Sequence, residues 1–190
     1  MKSITPFFFL FTLCLFFVPQ EIVANQNNAI TDQILQTCEH TVHNDLCITS
    51  LASDPISEGA NQTGLALVAL KVASQNASDI TDQVKVLAND DSLEPGVQQG
   101  VSDCMDHYLD AAEQLEDSIA ALLVGAFDDV KTWVNVAIGD VDQCDAAFKG
   151  LKNVMSKNNK VFHQLCENAL AIIEALAAGK WFFHIIVSWC

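Results

Sequence analysis

The stretch CEHTVHNDLC, residues 38–47, places a polar turn signal between two cysteines in a sequence that otherwise has the apolar spacing of helices. Two more cysteines, Cys104 and Cys144, lie far apart, each inside a separate amphipathic pattern. A near pair of cysteines can staple a short hairpin, and a distant pair can staple two helices of one bundle. The four cysteines therefore indicate a small, rigid helical scaffold, and no nucleophile elbow, Walker loop or dinucleotide fingerprint accompanies them.

The N-terminus has the pattern of a secretory signal peptide. Lys2 precedes an apolar run over residues 7–18, interrupted only by Thr12, which is the length of a signal core and too short to cross a bilayer. Cleavage after Ala24 fits this pattern, although Ile22 is larger than the residue usually found there. We assign residues 1–24 to a signal peptide and expect a secreted, extracellular protein. No later run reaches the roughly 20 apolar residues of a membrane helix, so no membrane contact is expected.

The charge balance limits the kinds of partner. The formal net charge is −15, with 24 acidic residues, nine lysines and no arginine. Phosphate binding depends on clusters of lysine and arginine, so this balance excludes nucleic acid and argues against an anionic membrane surface. It permits a basic protein partner, and it equally fits simple solubility in an acidic medium.

Export also makes disulfides plausible. Six cysteines allow 15 connectivities, so the sequence alone leaves open the pairing of those in the mature chain: Cys38, Cys47, Cys104, Cys144, Cys166 and Cys190. The apolar neighbours Leu165 and Ala169 favour a buried structural thiol at Cys166 over a nucleophile. His40 and His43 lie in the first cysteine loop, but their spacing matches no zinc pattern, so no metal site is predicted.

The apolar periodicity predicts an all-α chain. Residues 25–60 have the pattern of a helical hairpin, with a turn at Asn44-Asp45 and a stop at Asp54-Pro55. Four longer amphipathic helices are predicted at about 63–87, 95–124, 128–148 and 156–178. Short connections between them favour an up-down-up-down four-helix bundle over residues 61–178. Residues 25–178 thus form one domain, followed by an apolar tail at 179–190.

Polar positions on these helices are the candidate binding residues. One acidic stripe follows the second long helix: Asp103, Asp106, Asp110, Glu113 and Asp117. It lies opposite the apolar stripe, so it is either a solvated face or a contact surface for a partner. A paired-carboxylate hydrolase fits poorly, because exposed acids on one helix have no cleft that encloses a substrate. Asn61-Gln62-Thr63 and Asn76-Ala77-Ser78 are N-glycosylation sequons and agree with export.

Four motifs together resemble the plant pectin methylesterase inhibitor and invertase inhibitor family. They are TC through DLC and SDP over residues 37–55, Cys104 with Tyr108 and DA over 104–111, FDDVKTWV leading to DQC over 127–148, and LCENALAI over 165–172. The resemblance covers about residues 27–178. It implies a disulfide-stapled four-helix bundle after an N-terminal hairpin, with Cys38 paired to Cys47, Cys104 paired to Cys144 and Cys166 free. It also implies a non-enzymatic protein, without cofactor, that binds an extracellular carbohydrate-active enzyme and blocks access to its cleft.

The two branches of this family share the fold, so the target has to come from detail. Invertase inhibitors often carry Pro-Lys-Phe at the turn before the third bundle helix, where this chain has Gly125-Ala126-Phe127. The pattern that follows resembles pectin methylesterase inhibitors, which favours pectin methylesterase as a 1:1 partner, with acid invertase as the alternative. The hypothesis places the contact on the first three bundle helices, through Asp79, Asp82, Asp110, Glu113, Asp128, Lys131 and Thr132.

Other functional classes remain open at this stage. A helical bundle can enclose a small ligand between its helices, although closely spaced Leu, Val, Ile and Ala favour a packed core here. A structural or storage role is a further possibility. The tail at 179–190 departs from the family pattern and has three readings: packing on the bundle, pairing Cys190 with Cys166 or another chain, or a mis-predicted exon.

Overall fold

The computed structural model describes the backbone of residues 26–188 and the side chains of residues 32–179. Six α-helices follow one another: α1 Gln26–Cys38, α2 Asn44–Ser53, α3 Gln62–Leu87, α4 Pro95–Leu123, α5 Phe127–Ala147 and α6 Ser156–Ser188. A 3₁₀ turn, Pro55–Ser57, joins α2 to α3, and the described residues contain no strand. The all-α fold is confirmed. The predicted signal peptide and Cys190 lie outside the described residues.

Local sequence accounts for the helix boundaries. The Asn61 side chain accepts a hydrogen bond from the Gly64 N–H and caps the start of α3. Pro95 stands in the first turn of α4, where its missing N–H costs nothing. Gly125 has a φ of 76°, which only glycine adopts readily, and this residue turns the chain out of α4 as the sequence predicts.

Helices α3 to α6 form the antiparallel bundle, and the hairpin of α1 and α2 packs against α3 and α6. The bundle core is filled by fully buried side chains, including Leu65, Ile80, Leu115 and Phe162. The Tyr108 ring meets Phe162 edge to face, with ring centroids 5.3 Å apart. Because the hairpin packs on α3 and α6, the helices α4 and α5 form the side of the bundle that lies away from it.

Two disulfides connect these parts as the family resemblance implies. Cys38 is bonded to Cys47 across the hairpin turn, and Cys104 is bonded to Cys144 between α4 and α5. The pairing is therefore confirmed. Cys166 is a free, fully buried thiol, and burial raises its pKa above the usual value. A thiol held in its neutral form inside the core is a packing residue and not a nucleophile.

The last helix is longer than the sequence periodicity predicts. The expected end is near residue 178, but the backbone of α6 remains helical through Ser188. Gly179 is the only helix-weakening residue at that point, and a single glycine without a following proline does not stop a helix. Within the described chain, the stretch 156–179 is also long and apolar enough to cross a membrane by length and composition alone. Half of that window is buried in the bundle, so we describe it as a core helix.

Candidate protein-binding surface

The predicted partner-binding residues lie on three helices, and nearly all are exposed. They form three groups: Asp79 and Asp82 on α3, Asp110 and Glu113 on α4, and Asp128, Lys131 and Thr132 at the start of α5. Lys131 is the exception, because about two-thirds of its side chain is covered.

The three groups lie at different levels of the bundle. Gln98 Nε2 donates to the carbonyl of Ala88 (2.9 Å), which sets the register of α4 against α3 and places Asp82 level with Cys104. Cys104 is bonded to Cys144, and Asp128 lies sixteen residues before Cys144 on α5. At 1.5 Å per residue, the α3 group and the α5 group are about 24 Å apart along the bundle axis. They do not form one compact site, and only an extended partner reaches both.

Local partners already engage the α3 and α5 groups. Asp82 pairs with Lys85 at 2.9 Å, and Asp128 pairs with Lys131 at 2.6 Å between carboxylate oxygen and ammonium nitrogen. Gln75 Nε2 donates to Asp79, while Thr132 donates to the backbone carbonyl of Asp128. Such exposed intrahelical contacts contribute little to stability, so they leave these side chains available to a partner at low cost.

The α4 group is different because its carboxylates have no partner. Among the described residues, neither Asp110 nor Glu113 makes a hydrogen bond or ion pair, and both are exposed. The whole of α4 contains six acidic residues and no lysine. Its outer face is therefore an unneutralised acidic stripe on a chain that elsewhere pairs Lys71, Lys85 and Lys131 with carboxylates.

Asp140 extends this acidic stripe into the groove between α4 and α5. Its Oδ1 lies 3.6 Å from His107 Nδ1, while its Oδ2 is buried without a hydrogen-bond partner. Burial raises the pKa of this carboxyl, the nearby charge of Asp110 adds to the effect, and His107 opposes it. Sequence reasoning missed Asp140. The signal was available in the disulfide. With Cys104 paired to Cys144 on antiparallel helices, Asp140, four residues before Cys144, lies level with Tyr108, four residues after Cys104.

The Asp140→Asn variant is expected to be more stable than the natural protein by roughly 1 kcal/mol at pH 7. A carboxyl whose folded pKa is raised destabilises the fold where it is ionised, so the gain is present at neutral pH and disappears as pH falls through the folded pKa. Urea unfolding at pH 7 and pH 3.5 measures it. Asp106→Asn, on the exposed stripe, is the matched control and should change stability little at either pH. An equal gain in both variants would show that net charge and not the buried oxygen is responsible.

The hairpin is fixed on the opposite side of the bundle at two points. At its tip, the Asn168 side chain accepts from the His43 N–H (3.2 Å) and donates to the His43 carbonyl (3.0 Å). His43 Nε2 also lies 2.7 Å from Glu167 Oε2. At its base, Lys71 Nζ donates to Asp54 at 2.9 Å. The hairpin therefore covers α3 and α6 and leaves the outer faces of α4 and α5 open.

The charges at these two points explain two lowered pKa values. Burial raises the pKa of the Glu167 carboxyl, but hydrogen bonds and positive charge from His43 and His163 outweigh it, so the pKa lies below its usual range. At Asp54, the hydrogen bond from Lys71 and the Ile56 N–H lower the pKa against a smaller effect of burial. Each carboxylate is stabilised in its charged form at the hairpin contact.

The described residues offer little to a metal ion or an enclosed ligand. No three His, Cys, Asp or Glu side chains among them are grouped so that they could hold a metal. A groove of about 450 Å³ lies between the end of α1 and α6, with Thr37, His40, Gln62 and Leu176 in its lining. It is open to solvent at the hairpin junction and does not lie between the bundle helices.

Comparison with known proteins shows which family the chain belongs to. The family model described as plant invertase/pectin methylesterase inhibitor matches residues 32–172. The chain belongs to this inhibitor family. Its members are inhibitors of enzymes and not enzymes, and the partner of this inhibitor is a protein, either a pectin methylesterase or an invertase.

Similar proteins are named for both targets. The inhibitor is 28% identical to the "Putative invertase inhibitor" of Platanus orientalis, over 88% of this chain and 98% of that protein. It is 27% identical to pectinesterase inhibitor 10 of Arabidopsis thaliana, over 83% of this chain and 54% of that protein. It is 26% identical to the Arabidopsis cell wall / vacuolar inhibitor of fructosidase 2, over 77% and 81% of the two chains.

The fold has a counterpart among solved structures. A mutant form of a pectin methylesterase inhibitor from Arabidopsis superposes with a TM-score of 0.64 at 24% identity, covering 75% of this chain and 95% of that one. At this identity the likeness establishes the fold of the inhibitor and leaves its target to be argued from the surface.

Proposed function

We propose that this inhibitor acts on pectin methylesterase in the plant cell wall. The observation that carries the proposal is the turn between α4 and α5, where the invertase branch often has Pro-Lys-Phe. Here the turn is Val124-Gly125-Ala126, it exposes Leu123 and Val124, and it carries no cation. The next lysine along the chain, Lys131, is on the first turns of α5 and is paired with Asp128. An invertase inhibitor is the second candidate, favoured by the names of the relatives at 28% and 26% identity.

The acidic stripe of α4 fits this target by charge. A pectin methylesterase handles a polymer of galacturonate units, so the cleft that binds the polymer has to tolerate or attract carboxylates. A preformed row of carboxylates without a lysine partner, which includes Asp110 and Glu113, presents the same charge to that cleft. Electrostatic complementarity of this kind steers association and fixes orientation. We therefore place the outer face of α4 and the start of α5 over the rim of the enzyme cleft, in a 1:1 complex.

Rigidity supports the same proposal. The disulfide between Cys104 and Cys144 ties α4 to α5, so the two helices present their outer faces in one arrangement before the enzyme arrives. Preorganisation lowers the entropy that has to be spent on binding. A standard interface covers about 800 Å² on each partner, which is wide enough for the groups on α4 and α5 together.

A titration of residual activity tests the proposal. The purified mature inhibitor is added in steps to a plant pectin methylesterase and, separately, to an acid invertase, at the acidic pH of the cell wall. We expect demethylation to fall to zero at one equivalent and sucrose cleavage to be unaffected. Loss of sucrose cleavage alone would assign the protein to the invertase inhibitors instead. Activity of both enzymes at excess inhibitor would remove the inhibitor function altogether.

The Asp110→Ala/Glu113→Ala variant is expected to bind pectin methylesterase about tenfold more weakly, which corresponds to about 1.4 kcal/mol. The loss should be smaller at high salt, because salt screens exposed charges. Glu39→Ala/Glu58→Ala, which removes the same charge from the hairpin side, is the matched control. Unchanged affinity in the α4 variant, or an equal loss in the control, would remove α4 from the interface.

The remaining predicted positions form the outer part of this surface. Asp128, Lys131 and Thr132 adjoin the proposed contact, while Asp79 and Asp82 lie about 24 Å away along the bundle and would meet only an enzyme with a broad footprint. Alanine substitutions in the α3 pair are therefore expected to weaken binding less than those on α4.

The signal-peptide pattern of residues 1–24 supports delivery of the inhibitor to the cell wall through the secretory pathway.

A further inference from the structure

The two glycosylation sequons of this chain lie in opposite environments. Asn61 is exposed, precedes the first turn of α3 and has extended backbone, with φ of −79° and ψ of 179°. Asn76 is half-buried in the middle of α3, and one of its two side-chain heteroatoms has no solvent contact and no partner. We propose that Asn61 carries an N-linked glycan in the exported protein and that Asn76 does not.

The geometry of Asn61 leaves the reacting atom free. Its Oδ1 accepts the Gly64 N–H at 2.9 Å, so the helix cap uses the oxygen and not the nitrogen. In the transfer, Nδ2 bonds to the anomeric carbon of an oligosaccharide carried on a polyprenyl diphosphate. The bond from that carbon to the diphosphate oxygen breaks, the lipid diphosphate leaves, and Nδ2 loses one proton. The carboxamide oxygen is unchanged, so the glycan and the helix cap coexist.

The surroundings of Asn76 oppose the same modification. Asn76 lines a shallow groove with Lys71 and Leu165 at the base of the hairpin, where Lys71 is bonded to Asp54. The atom of Asn76 that has no solvent contact is Oδ1, and the half-buried side chain as a whole lines this groove. A first sugar on its nitrogen would have to occupy the groove where the hairpin is anchored.

The position of the glycan also bears on the inhibitor's surface. Gln62, next to Asn61, lines the groove between the end of α1 and α6, so a glycan at Asn61 projects over the hairpin side of the bundle. The outer faces of α4 and α5 remain uncovered. The glycan is therefore compatible with an enzyme bound at α4, although the proposal itself does not rest on the identity of the target.

The experiment is peptide mapping of the full chain secreted by plant cells and recovered from the extracellular fluid. Enzymatic deglycosylation converts a glycan-bearing asparagine to aspartate, and mass spectrometry then assigns the position. We expect full or predominant occupancy at Asn61 and none at Asn76. An unmodified Asn61, a modified Asn76, or retention of the chain inside the cell would each overturn the proposal.

Two variants separate the glycan from the helix cap. Thr63→Ala removes the sequon but keeps the capping side chain of Asn61, and it should reduce the mass of the secreted protein by one glycan without weakening the fold. Ser78→Ala removes the second sequon at an exposed position and should leave the mass of the attached carbohydrate unchanged. A loss of carbohydrate in the Ser78→Ala protein would contradict the assignment directly.

Discussion

Replacing Cys104 and Cys144 together by alanine is expected to lower the free energy of unfolding by about 4 kcal/mol. The disulfide closes a long loop, with a separation of 40 residues. Its removal therefore increases the conformational entropy of the unfolded state, which favours unfolding. Both sulfur atoms are also fully buried between α4 and α5, so the substitution leaves a cavity. Urea unfolding of the oxidised natural protein and of the variant measures the difference.

The second disulfide provides the matched comparison. Cys38 and Cys47 are separated by only nine residues, for which the same chain-entropy estimate gives about 2.6 kcal/mol. The hairpin is additionally anchored by Asn168 and by the Lys71–Asp54 pair, so its position on the bundle does not depend on the disulfide alone. A larger loss from Cys38→Ala/Cys47→Ala than from the bundle pair would contradict the chain-entropy account.

Loss of the bundle disulfide also tests how α4 contributes to binding. If the outer faces of α4 and α5 bind the enzyme as one preorganised surface, the variant should inhibit more weakly even at temperatures where it is folded. The hairpin variant should inhibit normally under the same conditions, because α1 and α2 cover α3 and α6. Equal inhibition by both variants would indicate that the enzyme contacts a single helix.

The helix boundaries were predictable from the sequence because local signals set them. The predicted limits 63–87 and 95–124 agree closely with Gln62–Leu87 and Pro95–Leu123, where an asparagine cap, a proline and a glycine mark the ends. The end of α6 was not predictable in this way. Its sequence has no stop signal after Gly179, and the expected limit near residue 178 was set by the apolar stripe, which ends at Leu176.

The apolar periodicity of the sequence could not predict contacts between residues that are distant along the chain. The clamp of Asn168 on the His43 backbone joins positions separated by 125 residues, and no local pattern distinguishes that asparagine from a surface one. The predicted acidic stripe on α4 was visible because its members recur at helical spacing within one segment. Its continuation at Asp140 was missed because that residue belongs to another helix and joins the stripe only through the packing of α4 on α5.

Asn159 is the clearest case of such a long-range role, and its replacement by leucine is expected to cost about 2–3 kcal/mol of stability. The side chain is almost fully buried at the junction of three helices. It accepts from the Tyr108 hydroxyl at 2.8 Å on α4 and donates to Asp145 at 2.6 Å on α5. Leucine has a similar volume but offers neither contact, so the tyrosine hydroxyl is left buried without a partner. Thermal and urea unfolding measure the loss.

A double-mutant cycle with Tyr108→Phe distinguishes this hydrogen bond from simple repacking. Removing both polar partners of a buried hydrogen bond costs less than leaving one of them unsatisfied. Asp145 keeps a second donor, Asn153 Nδ2 at 2.7 Å, so its carboxylate is still hydrogen-bonded in the Asn159→Leu protein. The double variant should therefore be more stable than the sum of the single losses predicts, by at least about 1 kcal/mol. Additive losses would mean that the hydrogen bond between Tyr108 and Asn159 contributes nothing to stability, and that Asn159 acts through its contact with Asp145 and through packing.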